Sequence, residues 1–349
     1  MTKFSLCMIV KNEEEFLSSC LQPIYKIANE IIIIDTGSTD KTKEIACQFT
    51  DRIYDFTWCN DFSLARNYSL AKASNDWILV LDADEIVTEF NHESIVSITR
   101  KTPPTVGRIQ RVNTLEDQWG EKRITERISR FFNRQFFHYE GIIHEQIVHR
   151  SRNSYQTQPV TITVEHIGYN KEVIKSKAKL DRNITLLLQA IQTQPQDPYF
   201  HYQLGKSYYL AKDYVQANRS FQQALLLPVD FSYEYVEDLV ESYGYSLINS
   251  QSYAEALTLE KYSLYYDNSP DFRFLLGLIY MNNAQFAKAV EYLLACTAMQ
   301  EGKTKGVNSY LAFYNIGVIH EILGFRKEAI EYYRKCGDYE PAGKRLALN

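Results

Sequence analysis

Asp82 and Asp84 stand one residue apart at the end of a continuously apolar run, Ile78-Leu79-Val80-Leu81. A short apolar run bounded by polar residues predicts a strand buried on both faces of a parallel sheet. Two carboxylates at such a strand end repel each other unless a cation or a polyol sits between them. Mg²⁺ and Mn²⁺ take oxygen ligands and bridge to phosphates. In open α/β sheets, ligands bind outside the carboxyl ends of the strands, where this pair would lie. Taken alone, the pair is more often a solvated strand-to-helix turn than a ligand site.

The neighbouring elements repeat the pattern. Phe4–Val10 reads as a strand and runs into Asn12 and Glu13. Glu13–Tyr25 reads as a helix with Phe16, Leu17, Cys20, Leu21 and Ile24 on one face. Glu30–Ile34 is a second apolar strand, ending on Asp35, and Thr36–Asp40 is a turn capping a helix over Lys41–Phe49. Arg52–Tyr54 is a short third strand. Trp58–Ser63 leads into a helix over Leu64–Ala73 that carries Arg66, and the Asp82 strand follows. This order predicts a parallel sheet with helices on both faces. From Thr105 the texture alternates, in Val106–Val112, part of Arg123–Phe131, and Thr161–His166. These read as half-buried strands, antiparallel, extending or facing the first sheet. Between them lies Gly141-Ile142-Ile143-His144-Glu145-Gln146, and a helix over Lys171–Thr193 follows.

The second half is a repeat. Leu204-Gly205, Tyr208, Ala217, Phe221 and Ala224 recur as Tyr243-Gly244, Ala256 and Ser263, as Leu276-Gly277, Tyr280, Ala289 and Cys296, and as Ile316-Gly317, Ala329, Tyr333, Cys336 and Pro341. The glycines step by 39, 33 and 40 residues. Two steps therefore exceed the helix–turn–helix period of about 34 residues by about five or six. Small residues at these positions let paired helices approach closely. Tyr199, Tyr202, Tyr209, Tyr245, Phe274 and Tyr314 fall at first-helix offsets that would line a concave, peptide-binding surface. Packing between repeats and self-association as a homodimer are the alternatives.

Composition narrows the classes. A net charge of −5 gives no electrostatic reason to expect nucleic acid or an anionic membrane. No apolar run reaches the length of a membrane span, and Phe4–Val10 lacks a cleavage-site pattern. Six scattered cysteines without a Cys-x-x-Cys suit reduced thiols in the cytoplasm rather than disulfides or zinc.

Four stretches in one order resemble the nucleotide-sugar half of family-2 glycosyltransferases of the GT-A fold. They are Val10-Lys11-Asn12-Glu13-Glu14, Asp35–Asp40, Asp61-Phe62-Ser63-Leu64-Ala65-Arg66-Asn67 and Leu81-Asp82-Ala83-Asp84-Glu85. The repeats over 198–343 resemble tetratricopeptide repeats. Together the two halves are similar to the peptide S- and O-glycosyltransferases of glycosylated bacteriocins. The resemblance implies a Rossmann-like α/β catalytic domain over 1–170, a linking helix over 171–197 and an all-α repeat domain over 198–349.

The same resemblance assigns roles. Val10, Asn12, Glu13, Asp35, Arg66, Asp82 and Ala83 would surround a UDP-sugar. Asp84 would ligate Mg²⁺ or Mn²⁺, while Asp82 contacts the ribose or shares the cation. Asp35 would accept from the uracil ring, or else cap the helix ahead of Lys41. Asn12 and Glu13 would close on the base, or simply belong to an ordinary helix N-terminus, which favours acids. Arg66 would reach the base or phosphates, or pair with Asp61. In the family a Glu-Asp-like pair after a glycine supplies the base, which puts Glu145 in that position. His144 stands where an acid is usual and could itself be ligand or base. His166, in Val164-Glu165-His166-Ile167-Gly168-Tyr169, would be a second cation ligand or a structural histidine. Arg127, Arg130 and Arg134 are candidates for the diphosphate or an exposed basic face. His138 and His149 are read as structural.

The function expected is an inverting, metal-dependent transfer of a sugar from a UDP-sugar to Ser, Thr or Cys of a peptide. A cell-surface glycan or lipid-linked acceptor is the alternative within enzymes. A repeat scaffold with an inactive transferase domain is the alternative outside them.

Overall fold

The computed structural model describes residues 2–117, 120–167 and 173–348. Two compact units emerge, Met1–Leu115 with Arg123–Lys171, and Glu116–Lys122 with Glu172–Asn349. As expected, the first is α/β and the second is helical. Gly168, Tyr169, the expected boundary at 170/171 and the start of the expected helix at Lys171 lie outside the described residues.

The first unit is built on one eight-stranded sheet in the order β3-β2-β1-β4-β7-β6-β10-β5. Its strands are β1 Phe4–Val10, β2 Glu30–Asp35, β3 Ile53–Asp55, β4 Trp77–Val80, β5 Glu85–Phe90, β6 Thr105–Asp117, β7 Gly120–Asn133 and β10 Gln156–His166. A separate hairpin pairs β8 Phe137–Glu140 with β9 Gln146–His149. The apolar runs divide by parity between two cores. Leu6, Met8, Ile31, Ile33 and Leu79 join one cluster, while Cys7, Ile32, Ile34, Ile78 and Val80 join the other. Side chains alternate across a pleated strand, so an unbroken apolar run fills both faces.

The sheet is mixed rather than parallel throughout. β1 pairs with β2 and β4 in parallel, and β2 with β3, but β7 runs antiparallel to β4. The later strands extend this sheet and do not face it. One expected antiparallel partner is parallel: β10 lies alongside β6 in the same direction, because β7 and the β8–β9 hairpin intervene in the chain.

Register brings the site residues together. Val10 is level with Asp35, and Cys7 with Val80, so the Asp82–Asp84 turn leaves the same carboxyl edge as Val10 and Asp35.

Helix starts differ from the sequence reading. Helix α1 is Leu17–Ile24, not Glu13–Tyr25. The residues before it are held as a loop against the 38–42 turn: Asn12 Oδ1 accepts from Thr39 N at 2.8 Å, and Glu13 N donates to Thr42 Oγ1 at 2.7 Å. Helix α2 is only Thr42–Ala46, helix α3 is Phe62–Lys72, and helix α4, His92–Thr99, packs against β10.

The second unit begins with α5 Val173–Thr193 and continues in helix pairs: α6 Pro198–Leu210 with α7 Tyr214–Leu226, α8 Glu234–Asn249 with a broken second helix, α11 Pro270–Asn282 with α12 Phe286–Thr297, and α13 Tyr310–Ile322 with α14 Arg326–Arg334. The broken helix is α9 Tyr253–Ala256, a 3-10 turn over Leu257–Tyr262, and α10 Ser263–Tyr266; α15 Glu340–Leu348 ends the series. The extra residues inferred from the glycine steps fall between pairs, at 227–233 and 298–309. The second insertion is tied down by Asp271, which accepts from Lys303 N at 2.7 Å and Thr304 N at 2.9 Å.

Tyr202 and Phe274, expected on a concave surface, are buried at 4% and 6% exposure. Tyr202 stacks beside Tyr235 of the next pair and donates its hydroxyl to Asp238. Tyr199, Tyr209, Tyr245 and Tyr314 are half-buried. For Tyr202 and Phe274, packing between repeats is the structural answer. Among the described residues no helix is long and apolar enough to cross a membrane.

The repeat glycines are points of close approach. A Cβ at Gly205 would lie 2.5 Å from the Phe221 ring, at Gly277 2.7 Å from Leu293, and at Gly317 2.5 Å from Tyr333. Gly205→Ala should therefore lower repeat stability by about 1–3 kcal/mol, the usual cost of overpacking. Gly343→Ala, where a Cβ meets open space, should be neutral or stabilising by up to about 1 kcal/mol through helix propensity. Thermal melts followed at 222 nm check both; equal melting of Gly205→Ala and wild type would contradict the close-approach account.

Candidate active site

The segment from Asp61 to Asn67 builds one wall of the site. Asp61 caps α3 by accepting from Leu64 N at 3.0 Å, which satisfies a backbone donor free at every helix start. Asn67 clasps β8, donating to Tyr139 O at 2.8 Å and accepting from Tyr139 N at 2.9 Å. Phe62 N donates to Ile142 O at 2.9 Å, fixing the loop after β8. Arg66, one turn along, is 6% exposed and points into the site.

Arg66 does not pair with Asp61. Its Nη2 donates to Asp82 Oδ1 at 2.8 Å, and its Nε donates to Glu145 Oε1. Arg130, from β7, donates to Asp82 Oδ2 at 2.6 Å. Asp82 is thus held on both oxygens by guanidinium groups. The mutual repulsion expected of the Asp-x-Asp pair is relieved on the Asp82 side by these arginines. Burial by itself would raise the Asp82 carboxyl pKa; Arg130 and Arg66 outweigh it and hold the group well below the usual carboxylate range. Burial acts against the charge of Arg66 too, but Asp82 and Glu145 drive its pKa well above the ordinary value. The Tyr139 ring lies 5.6 Å from the Arg66 guanidinium carbon, and burial pushes its phenol up to about 12.

Behind Asp82 sits Glu85, fully buried. It accepts from Asp82 N at 3.0 Å, Arg111 at 3.3 Å and Arg130 at 3.4 Å. A buried carboxylate needs such partners to remain charged. Arg111 continues to Glu126 through two contacts at 3.1 and 2.9 Å. Asn113 donates to the same Glu126 oxygen and meets His166 Nδ1 at 2.9 Å. His166 Nε2 is 3.1 Å from Asp84 Oδ2. One run of polar contacts therefore extends from Glu145 to Asp84.

Asp84 and His166 are the residues that could hold a divalent cation, with side chains 23% and 16% exposed. Among the described residues no group of three or more His, Cys, Asp and Glu is arranged around one point. Two protein donors of this kind fit Mg²⁺ or Mn²⁺, which keep waters and take substrate phosphate oxygens for the rest of their shell. The donor set disfavours zinc, which wants four protein ligands in a structural site and three in a catalytic one.

On the other side of the edge, Asp35 is 2% exposed. It accepts from Ser38 N at 3.1 Å and lies 3.5 Å from Lys43. It therefore braces the Thr36–Ser38 turn and does not cap a helix; the N-cap of α2 is Lys41, without a side-chain cap, and Asp40 accepts from Thr42 N at 3.0 Å. Nor are Asn12 and Glu13 acids of a helix N-terminus, since α1 has no acidic residue in its first turn. Asn12 sits at φ +56, in the left-handed region that asparagine tolerates better than most residues. Val10 and Ala83 are buried at 3% and 4% exposure.

The Gly141–Gln146 segment turns through two left-handed residues, Gly141 at φ +100 and His144 at φ +51. His144 O accepts from Gln146 Nε2 at 2.8 Å, and Glu145 reaches Arg66. Of the three arginines offered for a diphosphate, only Arg130 enters the site. Arg134 donates to Asn75 O and Leu70 O, and Arg127 is exposed. His138 pairs with Glu140 at 2.7 Å and His149 packs on Phe137, both away from these groups.

Sequence reasoning missed Asn67, Glu85, Arg111, Asn113, Glu126 and Tyr139. The alternation of β6 and β7 carries a signal for three of them, Arg111, Asn113 and Glu126. Arg111 and Asn113 share one face of their strand, as Glu126 and Arg130 share one of theirs, and a half-buried strand with charges at every second position has something polar to serve.

Residues 5–153 match the model of glycosyl transferase family 2, and residues 270–302 and 310–342 match the tetratricopeptide repeat. The chain is 31% identical over 233 residues to a TPR repeat-containing protein of Synechococcus elongatus, covering 64% of this chain and 57% of that one. It is 30% identical over 211 residues to the SPbeta prophage-derived glycosyltransferase SunS of Bacillus subtilis, covering 58% of this chain and 48% of that one. An uncharacterized glycosyltransferase of Rickettsia typhi is 30% identical over 89 residues, 26% of this chain and 30% of its own. The chain spans about half the length of the first two relatives, 57% and 48%.

The double guanidinium grip on Asp82 has a consequence in acid. A carboxyl depressed in the fold adds stability above its unfolded pKa of about 3.9, and that stability is lost as pH falls towards the folded value. Arg130→Met leaves Asp82 with Arg66 alone and raises its folded pKa. Acid unfolding of this variant, followed by circular dichroism, should begin at a higher pH than in wild type. An unchanged acid profile would show that Arg130 does not govern this carboxylate.

Proposed function

We propose that this chain, a family-2 glycosyl transferase domain followed by tetratricopeptide repeats, transfers a sugar from a UDP-sugar to a side chain of a peptide. One contact carries the reading. The Arg66 guanidinium holds Asp82, at the strand end, and Glu145, far along the chain, in a single fork. A group that serves the nucleotide sugar and a group that can take a proton are thereby neighbours.

In this reading Val10, Asn12, Asp35 and Ala83 line the nucleoside pocket along the sheet edge, with Glu13 in the loop beside it. Arg66 and Arg130 orient Asp82 towards the ribose. Asp84 and His166 hold Mg²⁺ or Mn²⁺, which when bound neutralises charge on the departing diphosphate and is worth several kcal/mol (~). Glu145 takes the proton of the acceptor as the nucleophile attacks the anomeric carbon opposite the leaving group. The carbon–oxygen bond to the diphosphate breaks as the new bond forms, so the sugar inverts. Buried Arg66 keeps Glu145 in place throughout. The proposal includes action in the cytoplasm, the compartment expected from the scattered cysteines.

A peptide acceptor is favoured by the repeats, an architecture whose extended surfaces bind peptides, and sugar transfer by the relative SunS, a glycosyltransferase matched over 58% of this chain. The direct test incubates peptides encoded beside this chain with a panel of UDP-sugars and Mn²⁺, followed by intact-mass analysis. Discrete hexose or N-acetylhexosamine increments on a peptide are expected. Transfer only to a lipid-linked or glycan acceptor would overturn the peptide reading, and no transfer to any acceptor would favour a scaffold.

Glu145→Gln keeps the shape of the side chain and removes the proton acceptor. Transfer to Ser or Thr should fall by about 10²–10⁴-fold. Transfer to Cys in the same peptide should fall less, because a thiol with a pKa near ~8.5 supplies some thiolate unaided. His144→Gln should cost little. Single-turnover rates on Ser and Cys forms of one peptide check this. A near-normal Glu145→Gln beside an inactive His144→Gln would move the base to His144.

A further inference from the structure

We infer that Glu126, acting through Asn113, fixes the tautomer of His166 and so aims its Nε2 at the position of a divalent cation beside Asp84. This rests on the cation site proposed above.

Glu126 is the fixed end of the relay. Its Oε1 accepts from Arg111 Nε and Nη2 at 3.1 and 2.9 Å, which makes it an ionised group that only accepts. An asparagine amide can ordinarily be turned either way. Here the carboxylate decides: Asn113 must present its Nδ2 to Glu126 and therefore its Oδ1 to His166. The His166 nitrogen facing that oxygen at 2.9 Å is Nδ1, so Nδ1 carries the hydrogen. In a neutral imidazole the lone pair is then on Nε2. That lone pair meets Asp84 Oδ2 at 3.1 Å. Two acceptors at this separation repel unless positive charge lies between them. A divalent cation supplies it; a proton on Nε2 takes its place otherwise.

The backbone builds the relay. In the parallel pairing of β10 with β6, His166 stands directly opposite Asn113. Asn113 is 8% exposed, so its amide is screened from competing water. Arg111, two residues before it, anchors Glu126 and also reaches buried Glu85 at 3.3 Å. The orientation of His166 is thereby tied to the group that supports Asp82. Asn113 and Glu126 are positioning residues in this account; neither touches the cation.

The test uses the full chain and Mn²⁺ as the probe. Mn²⁺ binding is titrated by electron paramagnetic resonance, and the His166 tautomer is read from imidazole ¹⁵N shifts, assigned with His166→Gln. Wild type should show the Nδ1–H form. Asn113→Leu should shift His166 towards the Nε2–H form and weaken Mn²⁺ binding by about 10–100-fold, the usual cost of losing an orienting partner of a metal-bound histidine. Glu126→Gln, which keeps the shape of a half-exposed side chain, frees the amide to turn and should mix the two tautomers. If His166→Gln loses Mn²⁺ while Asn113→Leu and Glu126→Gln keep both the affinity and the Nδ1–H form, the relay is wrong and the cation site stands. If wild type does not bind Mn²⁺, or His166→Gln binds it as well as wild type, the cation site is wrong and the inference falls with it.

Discussion

A single planar cation, Arg66, is the constraint on which the site depends. Its fork offers donors in fixed directions, and two of them are committed to carboxylates from different parts of the chain, Asp82 and Glu145. Lysine could not hold both in set directions. Burying this group is unfavourable unless its charge is matched, so the fold surrounds it with the carboxylates that chemistry would also need. The sheet register, the Asp61 cap on α3 and the Asn67 clasp on Tyr139 all serve to deliver Arg66 to one place.

The network extends this logic. Asp82 is steadied by Arg130, Arg130 and Arg111 share Glu85, and Arg111 holds Glu126. Breaking any one pair leaves a charge with too few partners, and in a partly buried cluster that cost passes to the neighbours. The donor-side carboxylates are therefore prearranged by protein charges before any ligand arrives.

Much of this was legible in the sequence, for physical reasons. Unbroken runs such as Ile31–Ile34 fill both faces of a sheet and declare themselves as buried strands. The carboxyl-edge rule then located Val10, Asp35 and Asp82 together. What the sequence hid was pairing between distant elements. Nothing near Arg66 announced Glu145 as its partner, and Asp61 looked the nearer choice. The parallel run of β10 beside β6 was hidden too, since alternation reports a half-buried strand but not its direction. In the repeats, glycine spacing marked the close helix approaches at Gly205, Gly277 and Gly317, because a ring or leucine there leaves no room for a Cβ. Aromatic offsets were a poorer guide: Tyr202 and Phe274 face other helices, as an inter-repeat contact requires.

The proposed transfer requires a nucleoside diphosphate along the carboxyl edge of β1, β2 and β4, coupled through Arg66 to the Glu145 segment. Hydrogen–deuterium exchange with and without UDP and Mn²⁺ tests it most directly. The account predicts slower exchange in three edge segments, 10–14, 36–41 and 82–85, together with the 141–146 segment. Unchanged exchange in all four at saturating UDP, or protection confined to the helical repeats, would contradict it.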